Sequence, residues 1–428
     1  MKITYSKTAG SFGSSAVRDI LKLTQGRNII SLAGGLPAEE LFPVEEIRAA
    51  YDRVLSSGPS VLQYGLTEGY RPLRERIAAR LETKGLSAGP DDLLLTTGSQ
   101  QAIDLLCRVL LDPGDAVLVE SPTYLSAIQT LRAYQADIHA VDSDREGMCT
   151  DDLETKLRTL RPKLLYAVPT FSNPAGALWS EERREAVVRL CRQYGTLILE
   201  DDPYGELAFG EGPVPPSMAA IDRKLAGGHG PAVIYIGSFS KIVAPALRTG
   251  WMTGDRELLA AAAKAKQAAD LHSSAIDQCA LSELMDGFDL DGHIAAVSAE
   301  YGRRMRLLSA ELAARSWTGA EWREPEGGMF LWLRLPEQIG TAELLKLAVE
   351  EGVAFVPGEV FYASNPVRSA MRLNFTHTAP GRIPEAVNRL ERALRRWQAG
   401  ELEQTGELEQ TGELEQAPAA SQVRQPSI

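Results

Sequence analysis

Ile234-Tyr235-Ile236-Gly237-Ser238-Phe239-Ser240-Lys241 is the stretch that decides how this chain is interpreted, and Arg248 follows it seven residues later. A short apolar strand pattern ends in a glycine, two hydroxyl side chains and a lysine. A lysine at the end of a buried strand is unusual, because burying an ammonium group without a partner is costly. Such a lysine is available for Schiff-base chemistry where its neighbours lower its pKa. The alternative is a surface turn that carries an ordinary lysine.

The side chains around Lys241 are of the types that hold a phosphate group. Ser238, Ser240 and Arg248 offer hydroxyl and guanidinium donors. A reactive amine beside a phosphate site predicts pyridoxal 5'-phosphate (PLP), held covalently by the lysine and through its phosphate by the other groups.

Length and composition narrow the class of protein. The 428 residues suggest two or three domains, and contents of 44% hydrophobic and 24% charged residues are typical of a soluble globular protein. The net charge of −12 argues against a nucleic-acid-binding protein. The four cysteines lie far apart without a Cys-x-x-Cys pair, so we predict neither a disulfide framework nor a metal site. Neither a signal peptide nor an apolar run of about 18 residues is present, so we expect no membrane span and a cytoplasmic location.

Strand and helix patterns alternate through the middle of the chain. The strands are short and apolar on both faces, which predicts an α/β fold whose buried, mostly parallel central sheet is flanked by helices. Polar motifs follow strand ends at 98–100, 121–124, 173–176, 201–204 and 237–241. Because ligands bind outside the carboxyl ends of the strands in open α/β sheets, we expect these five loops to converge on one crevice.

The pattern changes near residue 290, which predicts a second, smaller α+β domain. We expect an N-terminal helix and arm over 1–40, a large PLP-binding domain over 41–285, a small domain over 286–398 and a tail over 399–428. The tail repeats Gly-Glu-Leu-Glu-Gln-Thr with a six-residue period and is acidic and free of aromatic residues. This composition favours disorder, with a short helix as the alternative.

PLP chemistry needs several separate groups, and the sequence offers a candidate for each. Lys241 would bind the cofactor covalently and move the proton during catalysis. Asp201 would pair with the pyridine nitrogen, and Arg372 would pair bidentately with the substrate α-carboxylate. The other predicted cofactor contacts are Asn173 and Tyr204 on the phenolic oxygen, Tyr124 stacked on the ring, and Ser99, Gln100, Ser238, Ser240 and Arg248 on the phosphate. Taken alone, each residue also has a structural explanation, such as a helix cap, a core aromatic or an ion pair.

Together these residues form motifs that resemble a known family. The motifs are Asn173-Pro174-x-Gly176, Asp201-x-x-Tyr204, Ser238-x-Ser240-Lys241 with Arg248, and Arg372-Leu-Asn-Phe. They resemble the class I aminotransferases of PLP fold type I. A second set resembles the 2-aminoadipate (LysN-type) and kynurenine aminotransferase II branch: Gly35-Leu36-Pro37, Leu62-Gln63-Tyr64 with Glu68-Gly69-Tyr70, Thr97-Gly98-Ser99-Gln100-Gln101, Glu200-Asp201-Asp202-Pro203-Tyr204 and Gly327-Gly328-Met329-Phe330. The resemblance runs from about residue 11 to 397.

The resemblance implies features that the residues alone do not. It implies a homodimer whose active sites lie at the subunit interface, with Tyr64 reaching the phosphate of the partner's cofactor. It also implies that an N-terminal helix covers the substrate, that Arg18 meets the substrate's distal group, and that Gly35 lies at the substrate site. Two residues depart from the family pattern, Ala175 where threonine is common and Ala246 where glycine is common, which leaves the substrate range open.

The leading hypothesis is an aminotransferase that works by two half-reactions. It would move an amino group from an aminoadipate-like, aromatic or branched-chain L-amino acid to a 2-oxoacid, with 2-oxoglutarate as the expected acceptor. Another fold type I reaction, such as that of a decarboxylase, lyase or racemase, is the first alternative. A catalytically silent binding or assembly protein, using the acidic repeat, is the second. The same branch includes regulators with a DNA-binding head, but we expect none here because the resemblance begins near the N-terminus.

Overall fold

The computed structural model describes residues 3–11, 20, 28–210, 212–227, 230–315 and 317–411. The apolar spacing of Val17, Ile20, Leu21 and Leu23 predicts a helix over 14–23. This helix, apart from Ile20, and the predicted role of Arg18 lie outside the described residues.

Strands and helices alternate through most of the described chain. In chain order, the strands are β1 (Ile30–Ser31), β2 (Leu93–Thr96), β3 (Ala116–Ser121), β4 (Asp137–Asp144), β5 (Gly147–Met148), β6 (Leu164–Ala167), β7 (Leu197–Asp202), β8 (Val233–Ser238), β9 (Gly250–Thr253), β10 (Glu321–Trp322), β11 (Phe330–Arg334), β12 (Val353–Ala354), β13 (Val356–Pro357) and β14 (Ala370–Asn374). The α-helices are α1 (Lys7–Ser11), α2 (Val44–Ser56), α3 (Arg71–Thr83), α4 (Ser99–Leu110), α5 (Leu125–Ala133), α6 (Thr150–Leu160), α7 (Glu181–Tyr194), α8 (Met218–Leu225), α9 (Arg256–Asp270), α10 (Ala275–Gly287), α11 (Leu290–Ala313), α12 (Thr341–Glu350) and α13 (Ile383–Thr411).

The large sheet has eight strands in the order β2-β9-β8-β7-β6-β3-β4-β5. Strands β4, β3, β6, β7 and β8 pair in parallel, which confirms the predicted mostly parallel α/β sheet. Strand β9 is antiparallel to both of its neighbours, and the sequence pattern did not predict it. Every residue of β6 and β8 is buried, as expected for central strands covered on both faces.

Strand β7 extends further than its apolar pattern predicts. The apolar run predicts a strand over Thr196–Leu199, but the structure continues the strand through Asp202. The polar residues Asp201 and Asp202 therefore pair with β8, opposite Ile236 and Gly237. Because side chains alternate along a strand, adjacent carboxylates on β7 point to opposite faces of the sheet.

A separate four-stranded antiparallel sheet has the order β10-β11-β14-β13. It follows the predicted change of pattern near residue 290, whereas the exact domain boundaries stay a prediction. Strand β1 pairs in parallel with β12, with Ile30 opposite Val353, and so attaches the segment before Gly35 to this part of the chain.

Four described helices differ from the sequence prediction. Helices α1, α8 and α10 were not predicted, and α13 continues through Thr411 into the acidic repeat. Residues 399–411 are described as part of this helix, in line with the alternative of a short helix, whereas the predicted disorder of the tail over 399–428 stays a prediction. Glutamate, leucine and glutamine are strong helix formers, and a segment that extends an existing helix avoids the cost of nucleation. None of the described helices combines the length and apolar character that a membrane crossing requires.

Candidate active site

A cavity of about 310 Å³ lies at the carboxyl ends of the central strands. Residues of all five strand-end loops line it, as the sequence pattern predicted. Among the predicted site residues, those lining the cavity are Gly35, Ser99, Gln100, Tyr124, Asn173, Asp201, Tyr204, Ser238, Ser240, Lys241, Arg248 and Arg372. Tyr64 does not line it and is 78% exposed.

Lys241 enters the cavity just after the end of β8. Its Nζ donates a 2.8 Å hydrogen bond to the carbonyl oxygen of Gly35. Burial and the positive charges of Arg372 and Arg248 lower the pKa of Lys241 to about 8. The amine is therefore partly neutral close to physiological pH, which is the condition for nucleophilic attack on an aldehyde.

Asp201 is a buried carboxylate with one free oxygen. Its Oδ2 accepts a 2.8 Å hydrogen bond from the Tyr166 hydroxyl, and its Oδ1 has no partner among the described residues. Burial raises the pKa of Asp201 to about 7, an effect that the Tyr166 hydrogen bond opposes and the charge of Asp202 increases. A buried, unpaired oxygen is costly. A protonated pyridine nitrogen is the donor that would satisfy it, so this oxygen fits PLP.

Asn173 and Tyr204 form the predicted donor pair beside this carboxylate. Asn173 Nδ2 lies 3.5 Å from the Tyr204 hydroxyl, and both side chains are buried. Burial raises the pKa of Tyr204, so the phenol stays protonated and can donate. Two neutral donors suit the phenolic oxygen of a pyridoxal ring.

Arg372 is a buried cation held by neutral groups. It donates to Asn173 Oδ1 at 2.8 Å and to the Ala33 carbonyl oxygen at 2.6 Å. Its guanidinium carbon lies 4.3 Å from the centre of the Phe330 ring and 5.0 Å from that of Phe361. Burial lowers its pKa to about 10, so it remains charged at neutral pH. Among the described residues, the Nε of Arg372 has no hydrogen-bond partner and no carboxylate pairs with its guanidinium. The positive charge is therefore not balanced by the protein, and a substrate carboxylate can balance it.

Another group of residues lining the cavity fits a phosphate group. Ser238 Oγ donates to Ser240 Oγ at 2.9 Å, and the Ser240 main-chain N–H donates back to Ser238 Oγ at 3.1 Å. Helix α4 begins at Ser99, and the N–H groups of a first turn have no partner within the helix. Arg248 packs on Gly98, where an added Cβ would lie 2.6 Å from the guanidinium. Glycine is also required there because its φ is +74°.

Two details add to what the sequence indicated. The Gln100 side chain donates to Thr130 Oγ1 at 2.9 Å, which leaves the main-chain N–H of Gln100, in the first turn of α4, for the predicted phosphate contact. Tyr166, which the sequence interpretation missed, holds Asp201 from the neighbouring strand. A tyrosine inside an otherwise apolar buried strand was the available signal, because a buried hydroxyl needs a partner.

The fold and the cavity define a PLP-dependent enzyme of fold type I. The family model for aminotransferase class I and II matches residues 27–390. The chain belongs to this family and is a PLP-dependent aminotransferase.

The comparisons with individual proteins agree with this assignment. The chain is 40% identical to the aromatic-amino-acid aminotransferase 1 of Thermococcus litoralis over 398 residues, which cover 91% of this chain and 94% of the relative. The kynurenine aminotransferase of Pyrococcus horikoshii, solved with PMP, the pyridoxamine form of PLP, matches with a TM-score of 0.86 and 40% identity, covering 92% of this chain and 97% of that one. LysN, the α-aminoadipate aminotransferase of Thermus thermophilus, solved with N-(5'-phosphopyridoxyl)-L-leucine, matches with a TM-score of 0.86 and 37% identity, covering 92% and 98%.

Proposed function

We propose that this aminotransferase moves the amino group of a large L-amino acid, of aromatic, aminoadipate-like or branched-chain type, to 2-oxoglutarate. PLP, when bound, accepts the amino group at its aldehyde carbon and draws electrons from the substrate Cα. The observation that carries the proposal is one cavity that holds a partly neutral lysine amine, an unpaired carboxylate oxygen and an uncompensated guanidinium.

Each of these three groups has a distinct task in the proposed reaction. The Lys241 amine would hold the cofactor covalently and, once the substrate's amino group has displaced it, would be the free base that moves the proton from the substrate Cα. Asp201 would keep the pyridine nitrogen protonated through its free Oδ1. Arg372 binds the substrate α-carboxylate and thereby fixes which bond to Cα faces the amine.

The walls of the cavity support a large side chain on the donor. Leu125, Val168 and Phe361 contribute apolar surface beside the polar groups. The relatives named above act on aromatic amino acids, kynurenine or α-aminoadipate according to their names, which agrees with a roomy site. These donors differ in charge, because aromatic side chains are neutral and the side chain of aminoadipate is acidic. The predicted contact of Arg18 with an acidic distal group applies to the aminoadipate-like donors.

The exposure of Tyr64 supports the proposed homodimer. Leu62, Tyr64 and Leu66 are each more than 60% exposed on one loop, and Leu271 is 54% exposed. The Tyr64 ring contacts His272 edge to face at a centroid distance of 5.7 Å. A partner subunit would bury this apolar surface and give Tyr64 the proposed contact with the neighbouring phosphate.

A half-reaction screen tests the proposed function. Purified holoenzyme is mixed with single L-amino acids, and the absorbance of the cofactor is followed without any acceptor. We expect aromatic, aminoadipate-like or branched-chain donors to convert the PLP spectrum to that of the pyridoxamine form, and 2-oxoglutarate to restore it. Release of CO2 or ammonia without an acceptor would instead assign a decarboxylase or lyase. An unchanged spectrum with every donor would contradict the proposal.

Subunit complementation tests the dimer separately. We expect Lys241→Ala subunits to be inactive and Tyr64→Ala subunits to be impaired when each is assayed alone. The two are then mixed under conditions that exchange subunits. If active sites are shared across the interface, the mixed dimer regains one complete site and activity rises above that of either variant. No gain, although sedimentation shows exchanged dimers, would place Tyr64 outside the site.

A further inference from the structure

A cluster of polar side chains lies behind the loop that carries part of the proposed phosphate site. It consists of Thr97 and Gln101 on either side of the loop, Lys266 and Asp270 on the last turn of α9, and Ser273 just beyond. We call this set the α9 clamp. Its residues do not line the cavity, so the roles assigned above leave them unused.

Asp270 is the centre of the α9 clamp. Gln101 Nε2 donates to its Oδ2 at 2.6 Å, and Thr97 Oγ1 lies 3.5 Å from the same oxygen. Lys266 Nζ donates to both oxygens of Asp270, at 2.8 and 2.9 Å. Thr97 Oγ1 also lies 2.9 Å from Ser273 Oγ. One carboxylate therefore connects α9 to both ends of the segment 97–101.

Lys266 is the unusual member of this cluster. It is fully buried, with an exposed fraction of 0%, although its carboxylate partner is 29% exposed. Burying an ammonium group is costly, and a buried ion pair often contributes less stability than apolar side chains of the same volume. A lysine at this position is better explained by the orientation that it imposes on Asp270 than by stability.

The clamped segment carries the groups proposed to hold the phosphate. Gln101 Oε1 accepts from the Thr97 main-chain N–H at 2.8 Å, which fixes the two ends of the turn to each other. The Thr97 carbonyl oxygen accepts from Arg248 at 3.3 Å. Between these anchors lie Gly98, against which Arg248 packs, and Ser99, the first residue of α4. A shift of the turn would therefore move the helix N-terminus and the arginine together.

We propose that Asp270 is a positioning residue for the cofactor, which orients the segment 97–101 through Gln101 and Thr97 so that the start of α4 and Arg248 converge on the phosphate. Lys266 fixes the carboxylate in the orientation that this requires. The inference rests on the proposed placement of the phosphate at Ser99 and Arg248. It goes beyond that placement because none of the clamp residues lines the cavity.

Cofactor affinity of the apoenzyme tests the proposal without relying on turnover. PLP and pyridoxal, which lacks the phosphate, are titrated against wild type and Asp270→Asn. We expect about tenfold weaker PLP binding, equivalent to about 1.4 kcal/mol, and less than a twofold change for pyridoxal. A general disturbance of the structure would weaken the binding of PLP and of pyridoxal to the same extent. Equal weakening of both, or unchanged PLP binding, would overturn the proposal.

A double-mutant cycle tests whether Asp270 acts through Gln101. If it does, Asp270→Asn combined with Gln101→Ala weakens PLP binding little more than the stronger single variant does. If the losses of PLP affinity in the two single variants multiply in the double variant, Asp270 does not act through Gln101, and the proposed route is overturned. Asp222→Asn is the matched control, because Asp222 is a buried carboxylate that pairs with Arg192 away from the cavity. It should lower the melting temperature and leave PLP affinity unchanged.

The Arg248→Ala variant distinguishes a failure of this inference from a failure of the proposed phosphate site on which it rests. Weaker PLP binding in Arg248→Ala together with unchanged binding in Asp270→Asn would refute the α9 clamp alone. Unchanged PLP binding in both variants would refute the phosphate placement as well.

Discussion

Replacing Lys241 with methionine should stabilise the apoenzyme while it abolishes catalysis. The folded protein lowers the pKa of Lys241 from 10.5 to about 8, chiefly because the amine is desolvated. A shift of this size corresponds to about 3 kcal/mol of unfavourable free energy in the charged form. The lost hydrogen bond to the Gly35 carbonyl oxygen offsets about 1 kcal/mol of the gain. We therefore expect a net stabilisation of about 2 kcal/mol at pH 7.

The pH dependence gives this prediction its sign. Below pH 8 the lysine is protonated in both the folded and the unfolded chain, so the cost of burying its charge is present in full. Between pH 8 and about 10.5 the folded state releases the proton while the unfolded state keeps it, and the cost falls away. The advantage of Lys241→Met should therefore shrink as the pH rises through this window.

Urea unfolding of cofactor-free protein at several pH values measures the effect. Lys264→Met, at an exposed position on the same protein, is the matched control and should change stability by less than about 0.5 kcal/mol. A Lys241→Met variant that is less stable than wild type at pH 7, or an advantage that does not depend on pH, would refute the reasoning about the buried amine.

Three further substitutions test the other parts of the site. Arg372→Lys keeps the charge but loses the guanidinium plane, so kcat/KM for the amino donor should fall about 100-fold in steady-state assays, whereas Arg334→Lys on the exposed end of β11 should leave it unchanged. Tyr166→Phe removes the hydrogen bond that holds down the pKa of Asp201, so the acidic limb of the pH profile of kcat/KM should move to higher pH; a shift to lower pH would contradict this assignment. Tyr64→Ala should weaken PLP retention on dialysis with little effect on apoenzyme stability, since the side chain is exposed within its own subunit; unchanged retention would argue against the contact across the interface.

The sequence predicted which loops meet at the cavity, because their polar residues follow strand ends. In an open sheet the carboxyl ends of parallel strands meet at one edge, so loops distant in the chain, such as those after Asn173 and Ser238, had to converge. The alternation of apolar strands and helices predicted the large parallel sheet. Once the sheet was predicted, the motif around Lys241 could be placed in the crevice at its carboxyl edge.

Features that depend on side-chain direction or tertiary contact escaped prediction. Tyr166 belongs to an apolar strand, and only the neighbouring strand shows that its hydroxyl meets Asp201. The carboxyl end of β7 was predicted too early because its last residues are acidic. In the structure these residues still pair with the neighbouring strand β8. The α9 clamp joins residues 97 and 270, and no local pattern signals a contact between positions so far apart. Tyr64 acquires its proposed role only from a second subunit.

The covalent assignment of the cofactor is the central claim, and one measurement tests it most directly. Holoenzyme is treated with borohydride, which fixes the linkage between PLP and its lysine, and the digested protein is mapped by mass spectrometry. The phosphopyridoxyl group should be found on the peptide that contains Lys241, and that peptide should be unlabelled in Lys241→Ala. Label on another lysine, such as the buried Lys266, or absence of label from a PLP-saturated protein, would contradict the account.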